Sequence, residues 1–348
     1  MVFFTRGLLF GLLFSFVAQL GAHSTVNEYE EVVPYKFTTF LPTDFVIPQK
    51  IQFTTSRLRD GEPDLLYYLS QPKHVVTYPI VIVCGGSYER SRIYSIFHLF
   101  RYFYDEFMDL GLGILSAEEW GINGHEIDID LFMEHYTQGR RFEDHQILMD
   151  HVIANPPEGW NGKFVLFGIS EGAPLVTRLT QEYPEHLLAT ISWAGSSGWT
   201  WREEWWLKVQ YELAHLSWFD WFVNVVSKWI PSASYIPTTR KEYDALMDYI
   251  QAHPTPHKEF MHMTYQYHAD ACAYPLPDYS KLKKVPFFNG VGGKDPIIEA
   301  LDAFAERAKA AGCPITYVRP PYQDHFARKC PEIVSKTFEW LKHHLSVS

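Results

Sequence analysis

The sequence predicts an α/β protein built on a mostly parallel central sheet flanked by helices, and three observations carry that expectation. Short, almost wholly apolar runs recur at residues 78–84, 112–117, 164–167 and 186–194. Strands buried on both faces read this way, without the polar alternation of a half-exposed sheet. Helical stretches at residues 93–110, 140–154 and 173–182 separate them. Strand and helix therefore alternate as they do in a parallel sheet with right-handed crossovers. Finally, a hydrophobic content of 47% and an aromatic content of 16% over 348 residues are enough to fill a sizeable core.

The elements follow in chain order. Residues 50–58 and 64–69 read as two strands joined by a turn at Asp60-Gly61-Glu62-Pro63, an antiparallel hairpin ahead of the parallel strands. The strand at 78–84 runs into Gly85-Gly86-Ser87-Tyr88. The helix over 93–110 carries Phe97, Phe100, Tyr104 and Phe107 at three- and four-residue spacings, a core stripe, and Gly111 stops it. After the strand at 112–117, residues 118–139 read as a long, polar, solvated loop. Its Glu118, Glu119, His125, Asp128 and Asp130 match no zinc or calcium ligand spacing. From Trp199 to Cys272 no run is strand-like. This stretch is rich in tryptophan (Trp199, Trp201, Trp205, Trp206, Trp218, Trp221, Trp229), with helices expected over 218–229 and 241–253 and Glu203 and Glu204 on a solvated face. The sheet resumes at 285–291, a helix covers 297–311, the last strand is 314–319, and a helix over 331–345 closes the chain.

One stretch concentrates chemistry. The apolar run 164–167 leads straight into Gly168-Ile169-Ser170-Glu171-Gly172, and a helical pattern begins at once. A strand, Gly-x-Ser-x-Gly and a helix together make a nucleophile elbow, in which a sharp turn lifts the serine Oγ clear of the sheet. The following helix aims free N–H groups and a positive dipole end at any oxyanion formed there.

With this motif in this context, the chain resembles the α/β-hydrolase superfamily from about residue 50 to 345. The resemblance implies an acid and then a histidine after the serine. Asp295, in the loop Gly292-Gly293-Lys294-Asp295-Pro296 beyond a late strand, stands where the family places the acid; it is equally suited to cap the next helix, and Glu299 is the reserve. Of 16 histidines, His325 alone is on the loop after the final strand, in the order serine, acid, histidine. The family also draws oxyanion donors from the residue after the nucleophile, here Glu171, and from the loop after the first parallel strand, here Gly86 or Ser87. That loop lacks the family's histidine, which leaves the choice between the two open. The tryptophan-rich insertion after the sixth strand, about 199–275, resembles a helical cap and implies an apolar roof over the serine, though most of its tryptophans are expected to pack cap against core.

Composition narrows the partners. A formal charge of −11 argues against nucleic acid. No metal site, dinucleotide motif or phosphate loop is present in the sequence, so no cofactor is expected. Arg6, the apolar run 7–18 and small residues around Ala22-His23-Ser24 form the three regions of an export signal over residues 1–24, leaving residues 25–348 as the catalytic domain. The run is short for a spanning helix, so no stable membrane span is expected after cleavage, and an uncleaved anchor is the alternative. A secreted or periplasmic protein could hold a disulfide, with Cys313–Cys330 the favoured pair among Cys84, Cys272, Cys313 and Cys330, and Cys84 an inert buried residue.

The chemistry expected is acyl transfer to water through an acyl-Ser170 intermediate, on esters with apolar acyl or alcohol groups. Two other activities use the same machinery: a thioesterase, or an aminopeptidase like the proline iminopeptidases, with Glu203 and Glu204 to hold an amine. A hydrolase fold retained only for binding a partner is the reading from another class.

Overall fold

The computed structural model describes residues 51–56, 65–72, 75–88, 93–122, 127–228 and 235–347. The export-signal region, the Asp60–Pro63 turn, His125 and Trp229 lie outside the described residues. In chain order, β1 (Ile51–Ser56), β2 (Leu65–Ser70) and β3 (Tyr78–Cys84) precede α1 (Phe97–Asp109) and β4 (Gly113–Ala117). Then come α2 (Ile129–His135), α3 (Gln138–Ala154), β5 (Trp160–Ile169), α4 (Gly172–Glu182) and β6 (Leu187–Trp193). A helical segment follows: α5 (Trp201–His215), α6 (Trp218–Ser227), α7 (Arg240–Ala252), the strands β7 (Glu259–Phe260) and β8 (Met263–Thr264), and α8 (Tyr265–Ala273). The chain ends with α9 (Tyr279–Leu282), β9 (Phe287–Gly290), α10 (Ile298–Ala310), β10 (Ile315–Val318) and α11 (Pro331–Val347).

Among the described residues eight strands make one sheet in the order β1-β2-β4-β3-β5-β6-β9-β10. β2 pairs antiparallel with β1 and with β4, and from β4 to β10 every pair is parallel, so the sequence expectation of a mostly parallel sheet with an antiparallel start holds. The two-residue side-chain period of the strands sorts the core into two layers. Val81, Val83, Val165, Phe167, Ile191 and Trp193 face α1 and α11, where Phe103, Phe107 and Ile333 meet them. Ile80, Ile82, Phe164 and Leu166 face α3 and α4, through Leu148, Met149, Leu175, Val176 and Leu179. Phe167 and Trp193 pack edge to face with centroids 4.9 Å apart, directly beneath the turn that carries Ser170. Among the described residues no helix is long and apolar enough to cross a membrane.

Four expectations need correction. The helix expected over 93–110 begins only at Phe97: the buried Glu118 carboxylate accepts from the Ser95 hydroxyl, the Ile96 N–H (2.9 Å) and the Tyr68 hydroxyl (2.7 Å), and residues 93–95 stay outside the helix. Glu118 is therefore no solvated loop residue; burial pushes its carboxyl up to about 7 despite those donors. The loop expected over 118–139 folds into α2, capped by Asp128 Oδ1 on the Leu131 N–H, with Phe132, Met133 and Tyr136 buried, and α3 starts two residues early behind Thr137.

The third correction concerns the region after β6. It contains α5 and α8, and a small ribbon turns through Met261 (φ 48°) and His262 (φ 67°) without a glycine. Trp201 and Trp205 are buried as expected, but Trp218 is 79% exposed and Trp221 50%. The fourth is the disulfide: all four cysteines are free. Cys313 packs with Phe287 and Phe304 on one face of the sheet and Cys330 with Phe288 and Ile333 on the other, so the sheet stands between them. Cys84 is buried as expected, and burial raises its thiol to about 12.

Candidate active site

Everything at this site starts from β5 and the turn after it. Ser170 sits at φ 51°, left-handed backbone that costs a non-glycine residue of order 1–3 kcal/mol. Its N–H donates to Trp193 O (2.7 Å) on β6, and its carbonyl accepts from Ala173 N–H (2.9 Å) in the first turn of α4. The two glycines of the motif are there for close approach. A Cβ on Gly172 would collide with the carbonyls of Cys84 and Gly85 at the end of β3, and one on Gly168 would strike Gly172 O and Val176. The turn can be this tight only because both positions lack a side chain.

The acid and histidine come from neighbouring loops that are tied to each other. Gly293 N–H donates to Pro320 O (2.8 Å) and Lys294 N–H to Gln323 O (2.8 Å), while Gly292 lies flush against Asp324 O. Asp295 is 3% exposed and uses both oxygens: Oδ1 accepts the Ile297 N–H at the start of α10 (3.0 Å) and Oδ2 accepts His325 Nδ1–H (2.7 Å). Because an ionised carboxylate only accepts, Nδ1 carries the proton and Nε2 is left to accept from the Ser170 hydroxyl at 2.9 Å. Burial works against the His325 imidazolium, but the charge and hydrogen bond of Asp295 outweigh it, so the ring's pKa rises above the usual 6.5. Ser170, His325 and Asp295 are thus in one hydrogen-bonded line, in the protonation pattern in which a histidine takes a proton from a serine.

The expected oxyanion segments flank that line. A Cβ on Gly86 would stand 3.3 Å from Ser170 Cβ and 3.9 Å from its Oγ, so the loop after β3 lies against the serine; Ser87 follows on the exposed side. Glu171 is buried at the head of α4, its carboxylate 3.4 Å from Gln138 Nε2 and from the Tyr267 hydroxyl and 3.5 Å from Lys208 Nζ.

The sequence alone does not point to the charges around Glu171. Glu204, expected on a solvated face, is buried, and Lys208 Nζ lies 3.9 Å from it and 4.3 Å from the Trp205 ring centroid. Burial pushes the Glu204 carboxyl up to about 7; Lys208 opposes the shift and Glu171 adds to it. α5 thus brings a carboxyl and an ammonium to Glu171, the residue after the serine. Glu203 faces the other way and pairs with Arg240 (2.6 Å). His268, beneath Trp201, is kept neutral: burial lowers it to about 4, Trp201 Nε1–H donates to Nδ1 (3.0 Å), and Nε2–H donates to Phe260 O (2.9 Å). α5 lies outside the helices expected from the sequence; the local signal that marks it is Thr200 followed by Glu203, and the Thr200 side chain caps α5 on the Glu203 N–H. Nothing local in the sequence announces that Lys208 would turn toward Glu171. Among the described residues no group of three histidine, cysteine or acidic side chains converges as a metal site.

No protein-family model matches the sequence, and no curated protein sequence matches it. Solved structures do match. A carboxyl esterase from Bacillus coagulans is 15% identical and aligns with a TM-score of 0.57 over 86% of this chain and 99% of that one. A fungal esterase from Rhizomucor miehei is 14% identical, with a TM-score of 0.54 over 85% of this chain and 82% of that one. An acylaminoacyl peptidase from Pyrococcus horikoshii is 14% identical, with a TM-score of 0.51, over 86% of this chain but 41% of its own length. At such identities the likeness is one of fold.

Proposed function

We propose, from a chain that has the α/β-hydrolase fold, that this protein is a serine hydrolase acting on esters of apolar acyl or alcohol groups, with Ser170 as nucleophile, His325 as base and Asp295 as the acid that orients it. The observation that supports this reading most is the unbroken line from Ser170 Oγ to His325 Nε2 (2.9 Å) and from His325 Nδ1 to Asp295 Oδ2 (2.7 Å). The proposed reaction runs in two halves. Ser170 Oγ attacks the ester carbonyl as His325 Nε2 takes its proton, and the carbonyl π electrons move to oxygen. N–H groups of Glu171 and of the Gly86–Ser87 segment meet that oxygen, each such donor being worth about 3 kcal/mol. Collapse breaks the bond to the alcohol, which leaves with the proton from His325. Water then repeats the sequence on the acyl-Ser170 ester, while Asp295 holds the His325 ring through its Nδ1–H.

The helices α5–α8 supply a cap in this reading, with Trp201 and Trp205 on its buried side. Residues 1–24 act as a removable export signal, so the working protein is exported. The test is a panel of purified substrates. Short- and medium-chain esters should be turned over with an undiminished rate in the presence of a chelator; a rate abolished by the chelator contradicts the proposal. The aminopeptidase reading has one feature in its favour, two buried carboxylates, that of Glu171 next to the serine in the chain and that of Glu204, which meets the same Lys208. Yet Lys208 already occupies the place of a substrate ammonium between them. Cleavage of aminoacyl amides in preference to simple esters would reverse the order of the two readings.

A further inference from the structure

Arg141 is a fully buried cation on α3, and the charge of Glu119 balances it: Nε–H donates to Glu119 Oε1 at 2.7 Å. A guanidinium costs several kcal/mol to bury, and a pair serving stability alone could be replaced by apolar residues at little loss. What distinguishes Arg141 is its other bond. Nη2–H donates to the carbonyl of Gly85 at 2.8 Å, with the carbonyl of Gly86 further off at 3.5 Å. In a trans peptide the carbonyl and the next N–H point in opposite directions. Turning the Gly85 carbonyl toward Arg141 turns the Gly86 N–H away from it, and the same holds, more weakly, for the Gly86 carbonyl and the Ser87 N–H. Gly86 itself lies against Ser170.

One turn earlier on α3, Gln138 Nε2–H donates to Glu171 Oε2 at 3.4 Å, and Glu171 is the residue after the nucleophile. Residues three apart share a helix face. A single turn of α3 therefore touches the backbone of one segment expected to meet the oxyanion, through Arg141, and the side chain of the residue that supplies the other, through Gln138.

We propose that Arg141, assisted by Gln138, is a positioning residue of the oxyanion pocket: its guanidinium fixes the peptide planes after β3 so that their N–H groups face the carbonyl oxygen of the substrate. This rests on the hydrolase reading above. Arg141 does not touch the substrate. Its effect is on the transition state, because the oxyanion exists only there and the ground-state carbonyl demands much less of those donors. Lysine keeps the charge but cannot hold Glu119 and Gly85 together, since it lacks the planar fork.

The experiment compares wild type, Arg141→Lys, Arg141→Met and Gln138→Leu on a soluble ester and on a trifluoromethyl ketone, which forms a tetrahedral oxyanion at the serine. Arg141→Lys should lower kcat by about ten- to a hundredfold with KM within about threefold, and weaken the ketone by the same factor as kcat/KM. Gln138→Leu should do the same on a smaller scale. The pH midpoint of the histidine limb should not move, because His325 and Asp295 are untouched. Should Arg141→Met fail to fold, the lysine and leucine variants decide. A folded Arg141→Lys protein with unchanged kcat and ketone affinity overturns the proposal, as does a loss confined to KM. Wild type without Ser170-dependent ester turnover overturns the hydrolase reading and this proposal with it, an outcome distinct from an active wild type that is indifferent to Arg141.

Discussion

At the elbow, position is set by backbone: Ser170 at φ 51°, Gly172 pressed against the end of β3, and the Asp295 and His325 loops joined carbonyl to amide. In the helical segment after β6, position is set by side chains. Thr200, Ser217, Thr239 and Thr264 cap its four helices, Arg202 and Arg240 share Asp244, and Lys208 sits between Glu171 and Glu204. A backbone-built turn has few alternative arrangements and fails abruptly. A side-chain-built layer can exchange one residue at a time, so its changes are graded. The proposed division of labour follows from this: the elbow for bond cleavage, the helical layer for selecting what is cleaved.

The largest expected effect short of removing the serine comes from the loops behind it. Asp295→Asn cannot accept from Nδ1–H as a charged group, so the wrong tautomer competes, and kcat/KM should fall on the order of 10³–10⁴-fold. The direction of the pH profile sharpens the test. Imidazolium is the inactive form, and Asp295 raises its pKa, so wild-type activity should rise with pH through a midpoint above 6.5. In Asp295→Asn burial acts with less opposition, and that midpoint should move down. An unmoved midpoint would mean that another group governs the limb.

Gly172→Ala is next. Its methyl group has no space beside the carbonyls of Cys84 and Gly85, and overpacking of this kind costs about 1–3 kcal/mol. The midpoint of urea unfolding should fall accordingly, with a loss of activity much larger than an alanine elsewhere on α4 produces. A variant as stable and active as wild type would show that the elbow is less constrained than its contacts require.

The smallest effect belongs to the helical layer. Burial raises the Glu204 pKa from 4.5 to about 7, so the folded state prefers it protonated; that contribution is full below 4.5 and is lost as pH rises through 7. Glu204→Gln should therefore stabilise the protein relative to wild type at pH 8, by on the order of 2 kcal/mol, and little at pH 4. Equal shifts at both pH values would break the assignment of this charge to a buried position.

Legibility in the sequence divides along the same line. The central strands, the elbow and the order of serine, acid and histidine could be read because each depends on local pattern: apolar runs, paired glycines, a loop after a strand. The misreadings arose where a distant partner decides. Glu118 looked like a loop acid until Tyr68, Ser95 and Ile96 were found to surround it, and Glu204 looked solvated until α5 folded over Glu171. Cys313 and Cys330 are near in sequence, but alternation along β9 puts Phe287 and Phe288, and the cysteines packed on them, on opposite faces. The reach of Lys208 and Arg141 has no local sequence signal, since nothing nearby in the chain encodes it.

Fluorophosphonate labelling, with the modified residue mapped by mass spectrometry, tests the central claim most directly, because the reagent phosphonylates a serine whose proton is being taken far faster than an ordinary hydroxyl. Wild-type protein should be labelled at Ser170, an ester substrate should compete, and labelling should vanish in Ser170→Ala and nearly vanish in His325→Ala. Folded wild-type protein that stays unlabelled, or label found elsewhere and undiminished in Ser170→Ala, would contradict the assignment of Ser170 as the nucleophile.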